Sequence, residues 1–171
     1  MGLFSKFKKE EPKKPAISQE DVKAILDAKT DARKDEKFRL AGTSFYQEEV
    51  IQKYGKKNQD YYLKAADFKK KHRYDTVYEY DFPQLDARLV PEPENEHDPN
   101  AIAVYAGDVQ VGYIKKGSTG RVRNILKGRN VEALKLNIKS GNYKFYDEME
   151  ERVESDHGDL RVDLIISHSE S

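Results

Sequence analysis

The residues with the most chemical potential lie in one run, Pro91-Glu92-Pro93-Glu94-Asn95-Glu96-His97-Asp98-Pro99-Asn100-Ala101-Ile102-Ala103-Val104-Tyr105. An amide, an imidazole and a carboxylate (Asn95, His97, Asp98) stand together just before a strand-like apolar stretch. Proline fixes its own φ and restricts the residue before it, so Pro93 and the Asp98-Pro99 step predict a stiff, extended turn. Polar groups held on such a loop at the mouth of a strand are placed for binding. Asp98 has a second reading, in which it caps its own turn through an Asx hydrogen bond. Asn100 reads as a fixer of the loop backbone.

A basic run follows: Lys115, Lys116, Arg121, Arg123, Lys127 and Arg129, with the aromatics Tyr113, Tyr143, Phe145 and Tyr146 nearby in sequence. Cations track a phosphate backbone and aromatic faces stack on bases, a combination suited to single-stranded nucleic acid. The alternative is a solvated helix face. Lys69-Lys70-Lys71-His72-Arg73 is a second basic candidate of lower specificity.

Catalysis finds little support. No Ser–His–Asp ordering stands in a nucleophile-elbow context, and no Gly-rich phosphate-cradling loop occurs. His72, His97, His157 and His168 lack metal-ligand spacing. Glu148, Glu150, Glu151, Glu154, Asp156 and Asp159 lack the ligand order and glycine of a calcium loop, so they read as a solvated acidic segment. No enzyme activity, cofactor or metal is expected.

Composition bounds the rest. The chain has 171 residues, 37% hydrophobic and 36% charged, with no cysteine, which excludes disulfides and Cys-based zinc. The longest apolar run, Ala101–Ala106, is too short for a bilayer, and no secretory signal is visible. The expectation is a soluble, cytoplasmic protein of one domain with extensions. Its net charge of zero hides segregation: residues 101–146 carry nine Lys/Arg against two Asp/Glu, and residues 147–171 carry two against nine. Residues 81–100 are also acidic, with one against six. Either a basic surface stands beside an acidic tail, or adjacent strands neutralise one another.

The elements that must position these groups follow from local pattern. Residues 1–17 are rich in Lys, Glu and Pro and read as a flexible arm. The start Met1-Gly2-Leu3-Phe4-Ser5-Lys6 puts Lys6 where a myristoylation acceptor wants Ser or Thr. A membrane-surface role through Leu3, Phe4 and Phe7 therefore ranks last. Ser18-Gln19-Glu20-Asp21 is an acidic capping box that opens a helix to about Lys34, with Val22, Ile25 and Leu26 on one face. A strand over Phe38–Thr43 follows. The segment from Tyr46 to Leu85 is too long for a bare loop. It is read as helical turns at Glu48–Tyr54 and Leu63–Lys71, a strand at Val77–Tyr80, then a strand through Leu85, Ala87 and Leu89. Ala101–Tyr105 and Val109–Ile114 form a hairpin about Ala106-Gly107-Asp108. A helix to Lys127 carries Val122, Ile125 and Leu126, and Gly128 stops it. Strands at Val131–Lys139, Tyr143–Tyr146 and Leu160–Ile166 complete the chain. The predicted fold class is mainly β with helices (α+β). It is a small six-stranded barrel of the oligonucleotide-binding or SH3-like sort, with one helix after the central hairpin, an inserted helical segment and an N-terminal helix. The expected division is residues 1–17 as arm, 18–36 as helix and 37–168 as the domain, with an insertion at 47–84.

Three blocks carry a resemblance. Arg39-Leu40-Ala41-Gly42-Thr43-Ser44-Phe45-Tyr46, the Asn95-to-Tyr105 run and Val109-Gln110-Val111-Gly112-Tyr113-Ile114-Lys115-Lys116-Gly117 together resemble the HIRAN domain over roughly residues 38–146. That resemblance also implies a small β-barrel. Members with a known activity bind the 3′ end of single-stranded DNA. By that resemblance, Asp98 accepts the terminal 3′-hydroxyl and His97, where relatives usually have Tyr, stacks on a base. Phe45 or Tyr46 stacks on the terminal base, Asn95 contacts base or backbone, and Lys115 and Lys116 meet phosphate beside Tyr113. Ser44 stands where the DNA-end binders have Arg, which weakens one phosphate contact to a hydroxyl. By residue type alone, Phe45 reads as core, and Gly42 and Gly112 as sites of tight sheet packing. The resulting expectation is a nucleic-acid-binding module for single-stranded DNA 3′ ends in repair, replication or mobile-element biology, acting with a helicase or nuclease partner. The alternative is a protein-interaction domain with no nucleic acid involved. Neutral overall charge, Ser44 and the long insertion favour it.

Overall fold

The computed structural model describes residues 18–170, and within its first helix the side chains of residues 26–32 fall outside the description. The arm expected over residues 1–17, with its membrane contact through Leu3, Phe4 and Phe7, lies outside the described residues, as does the side chain of Leu26. The chain divides into two units at Ala32. The first contains helix α1 (Gln19–Ala32). Its start is the capping box expected from sequence: the Asp21 N–H donates to Ser18 Oγ at 3.0 Å, and the Ser18 N–H donates back to Asp21 Oδ2 at 3.2 Å. Val22 and Ile25 are about half exposed.

The second unit opens with strand β1 (Arg33–Ala41), five residues earlier than the sequence predicts. Its charged first half still alternates, with Glu36, Phe38 and Leu40 turned inward and Lys37 and Arg39 outward. After helix α2 (Gln47–Tyr54) and strand β2 (Lys56–Lys57) come helix α3 (Ala65–His72) and strands β3 (Val77–Tyr78) and β4 (Tyr80–Asp81). Short strands β5 (Leu85–Asp86) and β6 (Arg88–Pro91) lead to the hairpin β7 (Ile102–Ala106) and β8 (Val109–Ile114). Helix α4 (Thr119–Gly128), β9 (Asn130–Lys139), β10 (Tyr143–Asp147), β11 (Arg152–Asp156) and β12 (Arg161–Ser169) follow.

Seven strands form one antiparallel sheet in the order β5-β9-β12-β1-β8-β7-β6. Its two outer strands are consecutive in the chain. Leu85 and Asp86 pair with β9, the Ala87 N–H donates to the Leu134 carbonyl at 2.9 Å, and Arg88–Pro91 pair with β7. One short run thus bridges both edges and nearly closes a barrel, leaving little open edge for stray pairing. The fold class agrees with expectation, with one strand more in the barrel. Phe38, Leu40, Ile102, Val104, Val111, Leu136, Leu164 and Ile166 fill its interior, and Val50 of α2 and Val122 and Ile125 of α4 cover it. Leu126, expected on that helix face, is partly exposed.

Tyr143–Tyr146, read from sequence as barrel, belong elsewhere. β10 sits in a separate three-stranded sheet, β11-β10-β3, whose one face packs on Phe68 of α3. The Val77–Tyr80 strand is likewise split, with Val77–Tyr78 in this sheet and Tyr80 paired with β2. The insertion thus brings its own small core of Tyr61, Phe68 and Val77. Among the described residues no helix is long and apolar enough to cross a membrane.

Two features of the barrel set its stability. The register of β7 on β8 slips between Val104 and Tyr105, because Val111-Gly112 form a bulge. Gly112 takes φ +152, and a Cβ there would sit 2.7 Å from the Ala41 carbonyl oxygen. Gly112→Ala is therefore expected to cost about 2–3 kcal/mol by urea unfolding. Gly117→Ala, where nothing lies within 4 Å, should be nearly neutral. The second feature is Asp163 on β12, almost fully buried between Arg39 and Lys37. Burial pushes its carboxyl up, but the Arg39 guanidinium and the Lys37 ammonium outweigh that and hold it below its ordinary 3.8. A carboxyl depressed on folding contributes stability above its unfolded pKa and loses it as pH falls through the folded value. Asp163→Asn is expected to cost about 1–2 kcal/mol at pH 7, with the gap to wild type shrinking as pH drops below about 4. A gap that stays constant from pH 7 to pH 2.5 would contradict this account.

Candidate nucleic-acid interface

The site is assembled by a turn, a strand bulge and a loop at one end of the barrel sheet. β1 ends at Ala41, and Gly42 turns the chain with φ +68 into a single 3-10 turn over Thr43–Phe45. Here glycine supplies conformation rather than close packing, since the nearest atom to a Cβ would be Phe45 Cδ2 at 3.7 Å. Thr43 Oγ1 anchors the turn by donating to the Leu160 carbonyl at 2.8 Å. The turn throws Ser44 and Phe45 out and brings Tyr46 half inward. Phe45, expected in the core from its type, is instead 86% exposed.

The bulge at Val111-Gly112 supplies the second component. Val109, Val111 and Ile114 all point into the core, which is possible only because the extra residue shifts the alternation. Tyr113 is thereby turned to the opposite face, between Ala41 and Ala103 on the flanking strands. There its ring lies 6.4 Å from that of Tyr46 at 53°. The Tyr46 phenol is pushed up to about 12, first by burial and then by the Tyr113 phenol and the Glu92 charge. In this aromatic shelf Tyr46 therefore stays uncharged at neutral pH.

The third component is the proline-stiffened loop. Glu92 Oε2 accepts from Tyr113 Oη at 3.1 Å and from Asn95 Nδ2 at 2.9 Å. Asn95 Oδ1 in turn accepts the N–H groups of His97 at 3.0 Å and Asp98 at 3.1 Å. The Ala101 N–H closes the loop on the Asp98 carbonyl at 2.9 Å. Asp98 does cap its own turn, through Oδ1 to the Asn100 N–H at 2.9 Å. Its other oxygen, Oδ2, has no hydrogen bond from the described residues. The loop is therefore fixed by the Asn95 side chain and the Asn100 backbone, while the Asn100 side chain is exposed. The His97 ring is exposed above it.

The cations of the basic run are unevenly engaged. Arg121 and Arg129 are paired with Glu36 and Glu170, which partly bears out neutralisation between neighbouring elements. Lys115, Lys116, Arg123 and Lys127 have no carboxylate partner among the described residues. Arg123 Nη2 donates to the Asn100 carbonyl at 3.3 Å, and its Nε is buried without an acceptor. Glu92 is the group that sequence reasoning did not assign to the site, whereas Arg123 reads in sequence as one member of the basic run, with a solvated helix face as the alternative. Arg123 sits on the second turn of α4, seven residues after Lys116. For Glu92 no local signal existed, because its role depends on Tyr113 across the sheet. The insertion does not cover the shelf. α2 starts right after Tyr46 but runs along β8 toward the hairpin turn, where Tyr54 Oη donates to the Ala106 carbonyl at 2.8 Å and Lys53 pairs with Asp108. Of the lysine-rich run in α3, Lys71 and His72 meet Asp60 and Arg73 meets Glu148, so most of its charge is already engaged.

One family model matches the chain, described as the HIRAN domain, over residues 37–164. No curated protein and no solved structure matches it. Asn95 holds three hydrogen bonds, so Asn95→Ala is expected to cost about 1–3 kcal/mol and to speed amide exchange at His97 and Asp98. Hydrogen-exchange NMR checks this; unchanged protection at those two amides would show that the loop does not need the Asn95 side chain.

Proposed function

The chain belongs to the HIRAN domain family, a nucleic-acid-binding and not a catalytic module, and from that premise we propose that it grips the 3′ end of single-stranded DNA at the Asp98 notch. The observation that carries this reading is the division of labour within one carboxylate. Oδ1 of Asp98 is committed to the Asn100 N–H, and Oδ2 takes no hydrogen bond from the described residues, on a loop tied through Glu92 to Tyr113. Oδ2 can accept an O–H donor, and along a DNA strand only the terminal sugar offers a 3′-hydroxyl. Internal sugars carry an ester there, and a 3′-phosphate would set an anion against the carboxylate.

In this reading the exposed Phe45 stacks on the terminal base, and the Tyr46–Tyr113 pair offers further aromatic surface. His97 flanks the base. Lys115, Lys116 and Arg123 take phosphates, with Ser44 offering a hydroxyl where other members have a charged donor. That exchange weakens binding by about 1 kcal/mol or more. Asn95 acts through the loop it holds. The setting we assign is repair, replication or mobile-element biology in the cytoplasm, with a helicase or nuclease as the protein partner that presents the DNA end.

The test is fluorescence anisotropy with labelled oligothymidine carrying either a 3′-hydroxyl or a 3′-phosphate. The free end should bind about tenfold tighter or more, and Asp98→Asn should remove that preference while leaving the unfolding midpoint in place. With three cations on the strand, log affinity should fall with log salt with a slope of about −2. Equal binding to both ends would remove end recognition, and no salt-dependent binding at all would favour the protein-interaction reading, which Ser44 and the inserted lobe support.

A further inference from the structure

The three-stranded sheet has one covered face and one half-exposed one. α3 and the Phe68 cluster pack against Val77, Tyr146 and Val153. The opposite face carries Tyr78, Tyr143 and Phe145 in a row, with successive ring centroids 5.8 and 6.2 Å apart. A shallow groove of about 550 Å³ runs along it.

The rings of this lobe attract cations. Lys57 lies over Tyr62 at 4.5 Å, Lys144 over Tyr61 at 4.6 Å, Lys69 over Tyr146 at 4.8 Å and Lys139 over Tyr78 at 5.6 Å. Among the described residues Tyr143 and Phe145 carry none. Phe145 faces Glu154 and Tyr143 faces Asp156 across the ladder, with Asp147 and Glu150 also in the groove; Arg152 pairs with Glu154, so a single cation stands there against four carboxylates. Ring faces and carboxylates together form a seat for guanidinium or ammonium groups. β11 is also the outer strand of this sheet, so its free main-chain edge is open to an added strand.

We propose that this face and the β11 edge hold an extended, arginine- or lysine-rich segment of a protein partner. Its cations sit over Phe145 and Tyr143, and its backbone pairs along Arg152–Asp156. The occupant is not nucleic acid, because the same carboxylates repel phosphate. The seat lies in a different sheet from the Asp98 notch, and its test is independent of that reading.

The experiment is an NMR titration of the 15N-labelled full chain with an unstructured Arg-Gly-Ser repeat peptide and with its Glu-Gly-Ser counterpart. The arginine peptide should shift amides of residues 143–147 and 152–156, and the glutamate peptide should shift none. Phe145→Ser and Glu154→Gln should each weaken the interaction about tenfold, with oligothymidine binding unchanged. Glu150→Lys, at an exposed turn, gives the same readout should Phe145→Ser fail to fold. The proposal is overturned if the arginine peptide shifts nothing, shifts residues elsewhere, or binds the variants as well as wild type. It is also overturned if sedimentation shows self-association that Phe145→Ser removes, in which case a second copy is the occupant.

Discussion

A single carboxylate oxygen ties the working face together. Glu92 Oε2 accepts both the Tyr113 phenol and the Asn95 amide, and so locks the aromatic shelf on β8 to the loop that carries Asp98. Each partner needs a separate structural device to reach it. Tyr113 points outward only because the Val111-Gly112 bulge breaks the alternation of β8. Asn95 reaches back only because the prolines hold the chain extended before its turn. The Asn95 oxygen then orders the amides that set the direction of Asp98. Rigidity is therefore installed before any ligand arrives, which lowers the ordering entropy that binding must overcome.

How much of this was legible in sequence depends on range. The stiff loop, the hairpin, α4 and the capping box of α1 were readable because their causes lie within a few residues. Phe45 was misread because residue type alone suggests burial, whereas a left-handed Gly42 decides which way the turn throws the side chain. The start of β1 was hidden by the charges of residues 33–37, yet Glu36 is part of a bonded cluster with Arg121 and His168 that only the fold brings together. The phase break Val109, Val111, Ile114 does announce the bulge, and with it the outward turn of Tyr113, once alternation is counted residue by residue. Barrel closure by Leu85–Pro91 was not legible, since that run pairs with two strands distant in sequence and with each for only a few residues.

The insertion and the acidic segment turn out to share one lobe. Acidity over residues 147–159 suggested a solvated stretch and concealed β11, whose partner β10 looked like a barrel strand. Together with β3 and α3 they build a second small sheet with its own core. The charge segregation seen in sequence thus has a structural counterpart: Arg123 of the basic run reaches the Asp98 loop through the Asn100 carbonyl, and carboxylates gather on a different sheet.

The most direct test is the structure of the chain bound to a short oligothymidine with a free 3′-hydroxyl. The account predicts that hydroxyl within hydrogen-bond distance of Asp98 Oδ2, the last base against Phe45 and Tyr113, and the Glu92–Tyr113–Asn95 contacts unchanged. A strand lying along α3, or a terminal sugar remote from Asp98, would contradict it.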